Sequence, residues 1–102
     1  MIFTMDIGNT NIKTGLFQGK ELVRYWRLST NRSSTSDEYG MLVTNLFRSA
    51  GLSPDQVTGI MLSSVVPPVN FTIEHMCNDY FGIAPKFVVP GVKTGINIQY
   101  DN

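Results

Sequence analysis

Ile2 to Ile7 is short and mostly apolar, and it runs straight into Gly8-Asn9-Thr10-Asn11. Such a pattern predicts a buried strand meeting a turn. Ile12, Thr14 and Leu16 then alternate with Lys13, Gly15 and Phe17, the period of a second strand. Gln18-Gly19-Lys20 supplies another turn. Glu21 to Leu28, with Leu22, Val23, Tyr25 and Trp26, is rich in residues that favour strands. Three strands joined by two tight turns imply an antiparallel meander.

The period then changes. After the polar loop Asn31 to Ser36, the apolar residues Tyr39, Leu42, Val43, Leu46, Phe47 and Ala50 fall three and four apart, one face of an amphipathic helix. Thr35 and Glu38 have the spacing of a capping box at its start, and Gly51 suits its end. Ser53-Pro54-Asp55-Gln56 reads as a turn. Gly59 to Val66 is a continuous apolar run with Ser63 and Ser64 near its end, the signature of a central strand covered on both faces. Pro67-Pro68 is expected to stop that strand. Val69, Ile73, Met76, Cys77, Tyr80 and Phe81 return to helical spacing, and Gly82 ends the run. Lys86 to Val89 fits a short edge strand, while Gly91 to Asn102 has no clear period.

A meander followed by strand–helix alternation predicts a mixed α/β sheet with two helices against it. At 102 residues the chain is one small domain or a lobe of something larger. Composition narrows the function further. Eight basic residues balance eight acidic ones, so the excess of positive charge that holds a polynucleotide is missing. A small phosphorylated ligand is compatible, since backbone amides and a metal ion can bind it locally. One cysteine, Cys77, allows no intrachain disulfide and fits a reducing cytoplasm. The N-terminus lacks the pattern of a signal peptide, and no apolar run approaches the roughly 20 residues a membrane-spanning helix needs. The expectation is a cytoplasmic protein that binds neither nucleic acid nor membrane.

Asp6 is the first candidate for chemistry. A carboxylate at the end of an apolar strand needs water, a hydrogen bond or a metal ion. Gly8 allows the backbone to approach a ligand closely, and Asn9, Thr10 and Asn11 add small polar groups and amides. Such a hairpin can direct N–H groups at a phosphate while the aspartate holds a cation and its waters. The same residues also suit a hairpin whose Asp and Asn merely cap their own turn. Lys13, one residue into the second strand, is placed either to reach a phosphate oxygen or to stay solvated on the strand. No Gly-x-x-x-x-Gly-Lys-Ser/Thr segment occurs, and no Cys/His cluster has zinc spacing. His75 falls on the polar side of the second helix beside Glu74 and Asp79, and Cys77 on the apolar side; neither reads as catalytic.

Asp6-Ile7-Gly8-Asn9-Thr10-Asn11 resembles the first phosphate motif of the actin and sugar-kinase superfamily, in the form found in type III pantothenate kinases. Ser63-Ser64-Val65-Val66-Pro67 resembles that family's second block. Gly91-Val92-Lys93-Thr94-Gly95 and Tyr100-Asp101-Asn102 resemble the blocks leading into its pantothenate site. Four blocks in order span the chain. The resemblance implies a ribonuclease H-like, actin-like ATPase lobe with a five-stranded sheet of order 3-2-1-4-5. It implies ATP-dependent phosphorylation of pantothenate, the first step of coenzyme A synthesis. Asp6 would place the Mg²⁺ and ATP phosphates, Gly8, Asn9 and Thr10 would line them, and Tyr100 would meet pantothenate.

Residues 1–102 then correspond to the N-terminal nucleotide-phosphate lobe. The family's second lobe, the Gly-x-Asp-Arg segment that carries its general base, and its site for a monovalent cation (K⁺ or NH₄⁺) are expected beyond Asn102. The expectation is no catalytic residue in this chain, no activity of the chain alone, and a homodimeric full-length parent. A non-catalytic regulatory or interaction module of the same fold is the competing expectation.

Overall fold

The computed structural model describes residues 1–89, in which the chain runs β1 (Ile2–Ile7), β2 (Asn11–Gln18), β3 (Glu21–Ser29), α1 (Ser36–Ser49), a 3₁₀ turn (Pro54–Gln56), β4 (Gly59–Ser64), α2 (Pro67–Phe81) and β5 (Lys86–Phe87). The strands form one sheet in the order β3-β2-β1-β4-β5, the order the resemblance implied. The meander β1-β2-β3 is antiparallel, whereas β4 lies parallel to β1 and β5 parallel to β4. The expected segments Gly91–Gly95 and Tyr100–Asn102 lie outside the described residues.

Alternation along β1 sets the layers. Phe3, Met5 and Ile7 point to one face and are buried there with Ile12 and Leu16 of β2 and Ile60 and Leu62 of β4. Both helices pack on this face, because the Phe3 ring meets Phe47 of α1 edge-on at 5.3 Å and stacks on Phe81 of α2 at 5.6 Å. Phe47 and Phe81 also touch each other, with centroids 5.5 Å apart. Three rings from three elements thus form the centre of the core, and non-directional burial of this apolar surface is the main force holding the helices on the sheet.

The helix termini follow the local chemistry. Thr35 accepts from the amide of Glu38, and the Glu38 carboxylate accepts from the amide of Thr35, which completes the capping box. Ser53 and Gln56 repeat the device on the 3₁₀ turn. Gly82 ends α2 in the left-handed region at φ 66°, where a side chain is disfavoured. Tyr39 does more than fill the core: its phenol donates to the carbonyl of Asn31 and accepts from the Asn31 amide, pinning the loop after β3 onto α1. Leu42 departs from its expected place, being 44% exposed at the outer edge of the apolar face of α1.

Three expectations around β4 need correction. The strand stops at Ser64 rather than Val66, and Val65 is 55% exposed. The two faces of β4 are unequally buried: Ile60 and Leu62 are covered by the helices, whereas on the other face Ser63 is buried but Gly59 and Met61 are partly exposed. Pro67 and Pro68 do not simply interrupt a strand; they are the first two residues of α2. Proline fits there because its missing N–H would have had no partner in the first turn, and its fixed φ suits the helix.

Candidate functional site

The site lies where β1 and β4 end side by side and β1 turns into β2. Because Phe3, Met5 and Ile7 face the helices, Asp6 faces the opposite side of the sheet. Strand pairing puts Lys13 beside it on β2 and Ser63 beside it on β4, with Arg27 of β3 beyond Lys13. These four residues form one row across four strands. The Asp6 carboxylate is exposed. Its Oδ1 accepts a hydrogen bond of 2.8 Å from the hydroxyl of Ser63, which is itself only 9% exposed.

The turn is tight. The Gly8 amide donates to the carbonyl of Asn11 at 2.9 Å, and a Cβ on Gly8 would lie 3.1 Å from that oxygen. A side chain here would press on backbone, which is why glycine suits the position. Thr30, just past β3, binds the turn from behind. Its hydroxyl donates to the Gly8 carbonyl at 2.7 Å, and its amide donates to the Thr10 carbonyl at 2.9 Å. Asn9 and Thr10 are exposed, and their amides make no hydrogen bond to another described residue. The turn therefore presents small polar side chains and available N–H groups one residue from a carboxylate.

The second block holds this arrangement from the β4 side. The Val65 amide donates to the carbonyl of Ile7 at 3.0 Å, which ties the exit of β4 to the start of the turn. Ser64 accepts from the Val66 amide at 3.0 Å and closes the bend into α2.

Asp6, Gly8, Asn9, Thr10 and Lys13 are thus brought together, as their spacing suggested; Tyr100 lies outside the described residues. Ser63 and Thr30 also belong to the arrangement. In the sequence Ser63 stands only as part of a block, and Thr30 carries no local signal because its contact depends on the register of β2 on β3. Among the described residues no group of three or more His, Cys, Asp or Glu side chains could hold a metal ion. A single exposed carboxylate beside open amides still suits Mg²⁺, which keeps several waters and binds through one or two carboxylates plus substrate phosphates.

Other reactive groups lie elsewhere. Cys77 is fully buried in the core, and burial, with the nearby charge of Glu74, raises its thiol from 9.0 to about 12. It is neither a nucleophile nor a metal ligand in the folded state. His75 is an exposed residue of α2, stacked on Phe71 and 3.7 Å from Asp79. The Tyr80 phenol is also held above its usual value, chiefly because it donates to Asp37 at 2.8 Å, with burial and the charges of Asp37 and Asp79 adding to the effect. An open groove of about 390 Å³ between β3 and α1 is lined by Trp26, Leu28, Tyr39, Leu42 and Leu46, and no residue of the hairpin borders it. No helix among the described residues is long and apolar enough to cross a membrane.

Comparison with known proteins agrees with this geometry. The profile of a family described as type III pantothenate kinase matches residues 2–102. A curated type III pantothenate kinase of Brevibacillus brevis is 54% identical over 101 residues, covering 99% of this chain and 40% of its own length. Among solved structures, the ROK hexokinase of Thermus thermophilus superposes with a TM-score of 0.64 at 18% identity, over 86% of this chain and 34% of that one. A candidate N-acetylglucosamine kinase of Porphyromonas gingivalis gives a TM-score of 0.61 at 12% identity, over 87% of this chain and 33% of that one. At those identities the two likenesses show the fold alone, a lobe of the actin-like, sugar-kinase type. The chain spans 40% of the length of the curated relative it matches.

Proposed function

The chain belongs to the type III pantothenate kinase family, and from that premise we propose that residues 1–102 are the nucleotide-phosphate lobe of an enzyme that phosphorylates pantothenate with ATP. The product would be 4'-phosphopantothenate, and the reaction the first step of coenzyme A synthesis. The observation that supports this reading best is the juxtaposition at the end of β1: an exposed carboxylate, Asp6, beside a turn whose Asn9 and Thr10 amides are available to a ligand.

In this reading the turn from Gly8 to Thr10 cradles the phosphates through backbone N–H groups, and Lys13 adds positive charge from the neighbouring strand. Asp6 would hold Mg²⁺ through the carboxylate oxygen that Ser63 leaves unbound. When bound there, the ion would supply positive charge to offset that of the phosphates. Tyr100 meets pantothenate. The general base, the monovalent-cation site for K⁺ or NH₄⁺ and the dimer contacts belong to the part of the family architecture beyond Asn102. Phosphoryl transfer rests on positioning the nucleophile as well as the phosphates, so the isolated chain holds nucleotide without turning it over.

A coupled assay of pantothenate phosphorylation tests the reading. The protein carrying both lobes should phosphorylate pantothenate, its Asp6→Asn variant should lose at least about a hundredfold in kcat as expected for removal of a group acting on the transferring phosphates, and residues 1–102 alone should show no turnover. Wild-type activity in the Asp6→Asn variant, or phosphorylation of hexoses in preference to pantothenate, would overturn it.

A further inference from the structure

We propose that Thr30 and Ser63 are positioning residues of the phosphate site: Thr30 aims the amides of the turn, and Ser63 fixes the carboxylate of Asp6. The proposal rests on the phosphate reading of the turn and assigns its two halves to two different supports.

Thr30 acts through the geometry of the peptide bond. In a trans peptide, the carbonyl of one residue and the N–H of the next point in opposite directions. Thr30 draws the carbonyls of Gly8 and Thr10 towards itself, with its hydroxyl at 2.7 Å and its amide at 2.9 Å. The N–H groups of Asn9 and Asn11, which share those two peptides, are therefore turned away from Thr30. The Gly8 to Asn11 closure fixes the neighbouring planes, those of the Gly8 N–H and the Asn11 carbonyl, so without Thr30 the two planes in between are freer to rotate. An amide cradle works by being set before the ligand arrives, and Thr30 is the residue that sets it.

Ser63 acts on the cation side. Its hydroxyl donates to Asp6 Oδ1 at 2.8 Å from the adjacent position of the parallel strand. The hydroxyl is nearly buried, whereas the carboxylate is exposed, so the bond anchors the inner oxygen and directs the outer one at solvent. A carboxylate that binds a cation through one oxygen gains from a fixed orientation of the other. Ser63 stands behind Asp6 in this way, and its proton is already committed to Asp6.

The two roles separate in one experiment. The ¹⁵N-labelled 102-residue chain is titrated with ATP, with and without Mg²⁺, and the amide shifts of Asn9, Thr10 and Asn11 report binding. In the wild type these amides should shift with ATP alone, and more tightly with Mg²⁺. Ser63→Ala should leave the affinity for ATP alone within twofold yet cut the enhancement by Mg²⁺ on the order of tenfold, as loss of a group supporting a metal ligand does. Ser63→Thr should restore it. Thr30→Val should weaken ATP binding about two- to tenfold, the equivalent of one hydrogen bond, equally with and without Mg²⁺. Thr30→Ser should restore it. Should Ser63→Ala lose its dispersed spectrum, Ser63→Cys, which keeps the volume and weakens the hydrogen bond, carries the same expectation. A folded Ser63→Ala chain with wild-type Mg²⁺ enhancement, or one weakened equally with and without Mg²⁺, overturns the role of Ser63. A folded Thr30→Val chain with wild-type affinity overturns that of Thr30. If ATP leaves the hairpin amides of the wild type unmoved under both conditions, the phosphate reading itself falls, and the two positioning roles fall with it.

Discussion

Gly40 lies in the middle of α1, where glycine normally weakens a helix, and the reason for its presence is Tyr80. A Cβ built on Gly40 would lie 2.3 Å from Cε1, 2.4 Å from Cδ1 and 2.5 Å from Cζ of the Tyr80 ring on α2. Carbon atoms pack at roughly 3.5–4.0 Å, so Gly40→Ala forces a displacement of about 1 Å or more. Either the helices part, which loosens the core over Phe47 and Phe81, or the ring swings outward and leaves its hydrogen bond to Asp37. Overpacking of this kind costs about 1–3 kcal/mol. Exchanging glycine for alanine inside a helix returns about 0.8–1 kcal/mol. The net expectation is destabilisation by about 1 kcal/mol, or about 4–8 °C in Tm for a chain of this size. The sign should reverse when the ring is removed. In a Tyr80→Ala background, Gly40→Ala should stabilise by about 1 kcal/mol, the bare helix preference. Urea denaturation of the wild type, both single variants and the double variant, followed by far-ultraviolet circular dichroism, measures the coupling. A Gly40→Ala chain more stable than wild type, or the same effect in both backgrounds, would refute the argument.

Three further outcomes follow from particular contacts. Thr35→Ala removes the side-chain half of the α1 capping box and should cost about 1 kcal/mol in urea denaturation. Cys77 is protonated up to about pH 12 when folded but ionises near its ordinary value when unfolded, so above pH 9 the unfolded chain binds fewer protons. Its contribution to stability should therefore fall as pH rises from 9 towards 12, a slope that Cys77→Ala should reduce, and a thiol reagent should label Cys77 only after unfolding. Gly8→Ala brings a methyl group to 3.1 Å from the Asn11 carbonyl and should weaken ATP binding to the hairpin amides several-fold, with a stability loss of only about 1 kcal/mol.

Much of this fold was legible because local signals and global packing agree. The alternation in β1 and β2, the capping box at Thr35 and the αL glycine at position 82 each depend on residues within one element. The hairpin around Gly8 was legible for the same reason, since Asp6 and Asn11 are neighbours along the chain. What was not legible depends on register or on ambiguous residues. Thr30 looks like any polar residue after a strand until β3 is aligned on β2, when it falls behind Gly8 and Thr10. Gly40 looks like a weakness in α1 until Tyr80 is seen against it. Proline after an apolar run can end a strand or begin a helix, and at Pro67 the helix pattern that follows decides the matter. The unequal burial of the two faces of β4 is not legible in the sequence, because a continuous apolar run does not reveal how fully each face is covered.

The prolines of α2 also bear on why the proposed phosphate site is built from the hairpin. A helix that starts beside the end of a central strand usually offers its first amides to an anion. Here α2 begins just after Val65, whose amide is bonded to Ile7 of β1, so its N-terminus lies close to the turn. Yet Pro67 and Pro68 have no N–H, and the Val69 amide is bound to the carbonyl of Val66 at 3.0 Å. The helix keeps its dipole but loses the donors that make such an end specific for phosphate. In the proposed site the hydrogen-bond donors then come from the turn, where Thr30 holds the Gly8 and Thr10 carbonyls and the exposed Asn9 and Thr10 amides make no hydrogen bond to another described residue. In the same proposal, compensating charge would come from a cation at Asp6 and from Lys13. The division follows from backbone chemistry: the end of β4 braces the site through Ser63, Ser64 and Val65, and the hairpin is left to carry the proposed contacts with the ligand.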